Sequence, residues 1–283
     1  MASNAMSATQ LVQWIPEYQS AKALAALEAE LVIEKAVWHD WQNDLPWGDT
    51  LLIPITPNLG TADSVSLTAD LTLNAQTTTR GSIIVNQWNY KAVGIGYREQ
   101  LQNRPNYLTE IAEKCVYSVA KAIDYYLATK FASLTAGNVG TQGTALDDDA
   151  MLTAVENLNI ADISRKNRAV VLDPESMTDL MKIDKFLTDA YVQKGAVESP
   201  QGLIGKSRYG CEVYMSNNLV AKNTSYHSCA MFQKEAIAII IQKNNITDMF
   251  DWKEKFTNVV RAQAIFGANV LRPTAGCHIN TRS

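Results

Sequence analysis

The most constraining feature of the sequence is a stretch in which Leu108, Ile111, Ala112, Cys115, Val119, Ala122, Ile123 and Tyr126 recur at spacings of three and four. That spacing places them on one face of an α-helix. Pro105-Asn106 precedes the pattern, which runs to about Ser133 before Gly137, Gly140 and Gly143 end it. A helix over 106–133 would be roughly 40 Å long, long enough to act as a spine. The class of any fold built on it depends on whether its neighbours are helices or strands.

They read as strands. Val65, Leu67, Ala69, Leu71 and Leu73 alternate with Ser64, Ser66, Thr68, Asp70, Thr72 and Asn74, the strongest period of two in the chain. Thr50-Leu51-Leu52-Ile53-Pro54 precedes them, with a proline suited to a strand end or an edge. A second extended stretch follows from Ser82 to Lys91, and together these suggest a long hairpin-like excursion. Between Asp49 and Tyr97 there are five charged residues in 49, about half the density of the whole chain. A polar segment so poor in charge suits hydrogen-bonded contact better than free solvation.

After the helix, Leu146-Asp147-Asp148-Asp149 opens another. Arg168 to Leu172 reads as a buried strand, Pro174 to about Lys182 as a helix, and Glu212 to Ser216 as a strand. Ala236 to Ile241 reads as a central buried strand. Phe256, Asn258, Val260, Ala262, Ala264 and Phe266 share one face of a long amphipathic strand. The expected class is α+β, with the last strands returning beside the spine helix.

Composition narrows the function. With 25 Lys+Arg against 29 Asp+Glu the formal net charge is −4, which excludes a strongly basic protein that coats nucleic acid. The longest apolar run, Ala236 to Ile241, is far short of the roughly 18 residues of a membrane-spanning helix, so no membrane association is expected. The first basic residue is Lys22, and no secretory signal precedes it. Residues 1–5 resemble the remnant of an expression tag. Cys115, Cys211, Cys229 and Cys277 have no paired spacing and fit buried thiols in a reducing cytosol.

Motifs that could carry chemistry have plainer readings. Pro200 to Ser207 ends like a phosphate-binding loop, but Pro200 stands where the first glycine is required, and a turn before a strand accounts for it. Asp147-Asp148-Asp149 could gather a divalent cation, yet also suits an N-cap with first-turn acids. His227-Ser228-Cys229 and Cys277-His278 could share a zinc ion, but lack conventional spacing. Arg261 and Arg272 could face nucleic acid or simply line a solvated strand. No catalytic, cofactor or metal site is predicted. What stands out is aromatic: Trp14, Trp38, Trp41 and Trp47 lie in the first 47 residues, a segment too short to bury them. They either fold back onto their own domain or anchor an interface.

Taken in order, several motifs resemble the tailed-bacteriophage major capsid proteins of the Hong Kong 97 type. They are Trp47-Gly48-Asp49-Thr50-Leu51-Leu52-Ile53-Pro54, Ile123-Asp124-Tyr125-Tyr126-Leu127 and Val170-Val171-Leu172-Asp173-Pro174. Gly202-Leu203-Ile204-Gly205 with Gly210 to Asn217 is similar to a family hairpin, and Phe266 to Pro273 to its closing strand. The resemblance covers the chain from about Leu11.

This resemblance implies an N-terminal arm to residue 46, an extended loop over 47–97 lying on a neighbouring subunit, and a peripheral-domain spine helix in 98–135. It also implies an axial domain over 136–235, with 236–283 returning to the peripheral domain. The implied function is a virion head protein, assembled in the bacterial host cytoplasm. Its homo-oligomer of hexamers and pentamers would close into an icosahedral shell around double-stranded DNA, without sequence-specific binding. A separate scaffolding protein, a portal and decoration proteins are the implied partners. Trp14, Trp38, Trp41, Trp47, Val65, Leu67, Leu71, Trp88 and Tyr90 are the candidate intersubunit contacts. No Lys and Asn pair for covalent cross-linking can be matched. The alternatives are an encapsulin-like nanocompartment and a soluble α/β enzyme.

Overall fold

The computed structural model describes residues 32–41, 44–56, 62, 78–102, 107–183, 203–223 and 226–282, with backbone alone at 107–109, 203–208, 221–223, 226 and 244–247. The alternation from Val65 to Leu73 and Trp14 lie outside these residues.

The expected spine is present. Helix α3, Tyr107–Thr129, has 23 residues without glycine or proline, and a 3-10 turn over Lys130–Ser133 tightens its end. Its length is therefore about 34 Å. Cys115, Val119, Ile123, Leu127 and Phe131 are buried along one stripe. Two shorter helices precede it, α1 at Ile33–Ala36 and α2 at Tyr97–Gln102. Two follow: α4 at Asp148–Ile160 and α5 at Pro174–Met181.

Three sheets surround these helices. A two-stranded ribbon pairs β1 (Thr50–Ile55) with β2 (Thr79–Ile84), and forms the base of the expected excursion. A three-stranded antiparallel sheet has the order β10-β11-β3, from β3 (Gln87–Gly96), β10 (Ile237–Trp252) and β11 (Thr257–Val270). The largest sheet runs β4-β12-β9-β5-β7-β6. It contains β4 (Gly137–Val139), β5 (Arg168–Leu172), β6 (Leu203–Arg208), β7 (Cys211–Met215), β9 (Tyr226–Gln233) and β12 (Gly276–Asn280), while β8 (Ala221–Asn223) pairs with β9 off this path. The mixture of parallel and antiparallel pairs fits the α+β expectation.

One apolar core joins the two larger sheets. Phe266 of β11 meets Tyr126 of α3 edge-on at 5.5 Å, and Phe131 meets Phe232 of β9 at 5.6 Å. All three phenylalanine rings are fully buried, each adding about 1.5–3 kcal/mol of transfer free energy. The spine thereby fixes the small sheet against the large one.

Four sequence expectations need correction. Ser82 to Lys91 is not one extended stretch: the chain breaks at Val85-Asn86 and passes from the ribbon to the three-stranded sheet. Of the segment Ala236 to Ile241, Ala236 ends a 3-10 turn and Ile237 begins a 16-residue strand at a sheet edge. The segment reads as central because Ile237, Ile239 and Ile241 enter the main core while Ala238 and Ile240 enter a second cluster on the opposite face. Phe256 is outside β11, in a left-handed conformation (φ 49°) at the chain reversal, and is exposed. Leu203–Arg208 is itself a strand, and Tyr209-Gly210 form a two-residue turn with φ of 55° and 71°, the geometry of a tight hairpin.

Candidate functional site

The chemistry-bearing motifs resolve into structural parts. Asp147 caps α4 by accepting from the Ala150 N–H at 2.8 Å, with Asp148 and Asp149 in the first turn. Asp173 caps α5, accepting from the Glu175 and Ser176 N–H groups, and its other oxygen accepts from Cys229 Sγ and Thr281 Oγ1. His278 lies between Ser228 Oγ at 2.6 Å and Asn138 Oδ1 at 3.1 Å. These bonds tie strand β12 and the residues after it to the large sheet. Among the described residues no cluster of three His, Cys, Asp or Glu could hold a metal ion. Arg261 pairs with Asp248 at 2.9 Å and Arg272 with Glu235 at 3.5 Å, so both charges are engaged within the chain.

All four cysteines are free and buried. Burial pushes the Cys211 and Cys277 thiols up to about 11 and raises Cys115 and Cys229 as well. Thiolate is the reactive form. At neutral pH a thiol reagent should therefore label the native chain at least ten times more slowly than the denatured one, about tenfold per pKa unit. Fast labelling of any of the four in the folded protein would contradict the burial found here.

The surface geometry is more informative. At the root of the ribbon, Trp38 makes a parallel bridge to the β10 edge: its N–H donates to Ile237 O at 3.0 Å and its carbonyl accepts from Ile239 N–H at 3.1 Å. Its ring stacks on Trp41 at 5.7 Å, and both pack on Leu45, Ile53, Ile83, Ala238, Ile240 and Leu271. Gln242 Nε2 donates to the Leu45 and Gly48 carbonyls, Val85 N–H to Asp49 O, and Asn269 Nδ2 to Ser82 O at 2.7 Å. Gly267 has no side chain, and this lets the Ile84-Val85 backbone lie directly on β11. The ribbon is thus clamped at its base to the small sheet.

The pairing register places Trp88, Tyr90 and Ala92 of β3 beside Ile265, Gln263 and Arg261 of β11. It also sets Arg261 and Val259 beside Asp248 and Phe250 of β10. This face is opposite the one that α3 covers. Near Gly267 the ribbon covers it, and farther along no described element does. Trp88 is 68% exposed, Tyr90 69%, Phe250 41% and Trp252 42%. Arg261 pairs with Asp248 and lies over the Phe250 ring at 5.4 Å, and the Lys255 ammonium lies over the Trp252 ring at 4.2 Å. The outcome is an aromatic sheet surface that is bare among the described residues.

The sequence-derived candidates therefore divide. Trp38 and Trp41 fold onto their own chain, Trp47 is 89% exposed beside the turn at Gly48, and Trp88 and Tyr90 share the bare face. Trp14, Val65, Leu67 and Leu71 lie outside the described residues. Sequence reasoning missed Phe250 and Trp252, whose alternation would have been visible had the strand beginning at Ile237 been followed past Gln242.

Comparison with known proteins gives this surface its context. A family model described as phage capsid protein matches residues 79–279. A structure of Mycobacterium phage Che8 superposes with a TM-score of 0.76 at 20% identity, covering 94% of this chain and 97% of that one. The capsid structure of cyanophage P-SCSP1u gives 0.75 at 16% identity, with coverage of 99% and 96%. The capsid of a native GTA particle gives 0.71 at 13% identity over 100% of both chains. No curated protein matches. The family match spans most of the chain, and the spine helix, clamped ribbon and paired sheets agree with it: the chain belongs to the phage capsid protein family and has the Hong Kong 97-type fold.

Proposed function

We propose that this chain is the repeating subunit of an icosahedral head, arranged in hexamers and pentamers around double-stranded DNA that it contacts without reading sequence. The observation that carries the assembly reading is the bare aromatic face of the three-stranded sheet. Four exposed aromatic rings on one sheet face, with the Arg261–Asp248 pair between them, are costly to leave in water and suit burial against another copy. Its natural complement is the stretch Ser64 to Asn74 of the low-charge 47–97 loop of a neighbouring subunit, whose sequence alternates apolar and polar side chains; β3, at the end of that span, stays in its own subunit's small sheet. The 98–135 spine, the 136–235 axial unit and the 236–283 return follow the same scheme, except that β12 joins the large sheet of the axial unit, with a separate scaffolding protein, portal and decoration proteins as partners. The family match favours a DNA-filled head over a nanocompartment holding protein cargo.

Electron microscopy with light scattering on the purified protein tests this directly, and nuclease-protected DNA in shells isolated from infected cells tests the cargo. Trp88→Ser combined with Tyr90→Ser should raise the concentration needed for assembly by about tenfold or more, as expected when interface anchors are removed. Because both residues are exposed, the melting temperature of the unassembled subunit should be unchanged within a degree or two. Normal shell formation by the double variant would remove this face from the interface.

A further inference from the structure

The segment Ser164-Arg165-Lys166-Asn167-Arg168 brings three basic residues together at the end of α4, and the chain reaches it through unusual backbone. Asp162 and Asn167 both have positive φ, 53° and 55°, a left-handed conformation that short polar residues tolerate and most others avoid. These two reversals fold the loop so that Arg165 and Arg168 line one cavity of about 290 Å³, together with Val155 and Asn159 of α4 and the Tyr209-Gly210 turn of the β6–β7 hairpin.

Among the described residues no carboxylate balances the charge in this cavity. Arg168 is 3% exposed, and its guanidinium donates only to main-chain carbonyls, Ser164 O at 3.0 Å and Ile163 O at 2.5 Å. Among the described residues neither Arg165 nor Arg168 has a carboxylate within ion-pairing distance. Tyr209, whose hydroxyl donates to Asp148 Oδ1 at 2.5 Å, also lines the cavity. Burial holds Arg168 below the usual arginine range. Two guanidinium groups lining one cavity, one buried and one exposed at its mouth, are stabilised by an anion between them.

We propose that this cavity is a binding site for a phosphoryl anion. Two positive charges match the double charge of a phosphate group better than the single charge of a carboxylate. Arg165 offers a planar fork that can hold two oxygens at once, and the Asn159 amide can donate to a third. The Val155 side chain and the Tyr209 ring form an apolar wall that can accommodate whatever carries the phosphate. The cavity exceeds a bare phosphate, so it admits a pyrophosphate, the phosphate arm of a nucleotide or a backbone phosphate of DNA. It lies on the large sheet, away from the bare face of the small one, and does not depend on how that face is used.

Titration of pyrophosphate into the purified full-length protein by calorimetry tests the site. Saturable binding of one equivalent per chain, weakening as salt is added, is expected. Arg165→Ala should weaken it by about tenfold or more, the loss of a bidentate charge-assisted contact. Because Arg165 is exposed, this variant should melt like the parent without ligand, whereas Arg168 also satisfies two carbonyls and is the poorer probe. A short double-stranded DNA then distinguishes the sources. Displacement of pyrophosphate makes the site one for backbone phosphates, and no displacement makes it one for small phosphates, either result being consistent with phosphoryl recognition. Absent binding, binding unchanged in Arg165→Ala, or preference for an acidic peptide over pyrophosphate would overturn the proposal.

Discussion

Gly267→Val is expected to destabilise the subunit by about 3 kcal/mol, in the range of overpacking at a closed contact, and to prevent regular shell assembly. A Cβ on residue 267 would meet Ile84 O and, at 2.7 Å, Val85 Cα. Both are main chain, so no side-chain rotation can relieve the clash. The ribbon itself must lift from β11. Lifting it would stretch the Asn269 Nδ2 to Ser82 O bond and open the cluster of Ile53, Ile83, Ala238, Ile240 and Leu271 beneath Trp38. The displaced element is the root of the loop proposed to reach a neighbour, so a small local shift becomes a large error at its far end. Asn269→Ala, which removes one anchoring bond without adding bulk, should cost only about 1 kcal/mol. Thermal melting ranks the variants and electron microscopy reads assembly. A Gly267→Val protein with parental melting and normal shells would mean that the ribbon is not clamped where the contact places it.

The parts of this fold that are legible in the sequence are those whose cause is local. The stripe from Ile111 to Tyr126 specifies α3, because helical spacing repeats within a few residues. Asp147 and Asp173 mark the starts of α4 and α5, since a cap acts on N–H groups two or three positions ahead. The full burial of Arg168–Leu172 follows from its unbroken apolar run. What was not legible depends on partners far away in the chain. Nothing near Trp88 or Tyr90 announces that they pair beside Ile265 and Gln263 on an uncovered face. The register shifts between Ile241 and Ile246 interrupt the alternation of β10, so its sequence pattern breaks where the strand itself continues. Trp38 and Trp41 illustrate the same limit: composition identified aromatics in need of cover, but only the tertiary fold shows that their own chain supplies it. The cavity between α4 and the β6–β7 turn was hidden for the same reason, since Arg165 and Tyr209 are brought together only by the fold.

Asp124 is the clearest case of a residue whose role depends on distant partners, and its removal should have an effect comparable to that of Gly267→Val. It sits on the buried stripe of α3 at 1% exposure. There its two carboxyl oxygens accept from the Val32, Ile33 and Glu34 N–H groups at 3.1, 3.4 and 3.1 Å, capping α1 from across the structure. Burial raises its pKa from 3.8 to about 6, outweighing the three N–H donors that favour the ionised form, and the neighbouring Glu34 adds to the rise. A carboxyl with a higher pKa in the folded chain than in the unfolded one binds its proton more tightly when folded. Its contribution to stability is therefore largest below the unfolded value, falls as pH rises from about 4 to about 6, and is constant above that. A shift of this size corresponds to roughly 3 kcal/mol across the window. The stability difference between the parent and Asp124→Asn, which cannot titrate, should change by that order between pH 4 and pH 7, with the parent relatively more stable at the acidic end. Asp124→Ala removes the acceptor altogether and leaves three N–H donors without a partner, costing about 3 kcal/mol at neutral pH even with partial hydration. It should also loosen the 32–37 segment, making Lys35 cleave faster with trypsin while sites in the large sheet remain protected. A pH-independent difference between the parent and Asp124→Asn would show that Asp124 does not titrate in this window, whereas unchanged cleavage at Lys35 in Asp124→Ala would show that contacts such as the Trp38 bridge hold the segment without the carboxylate.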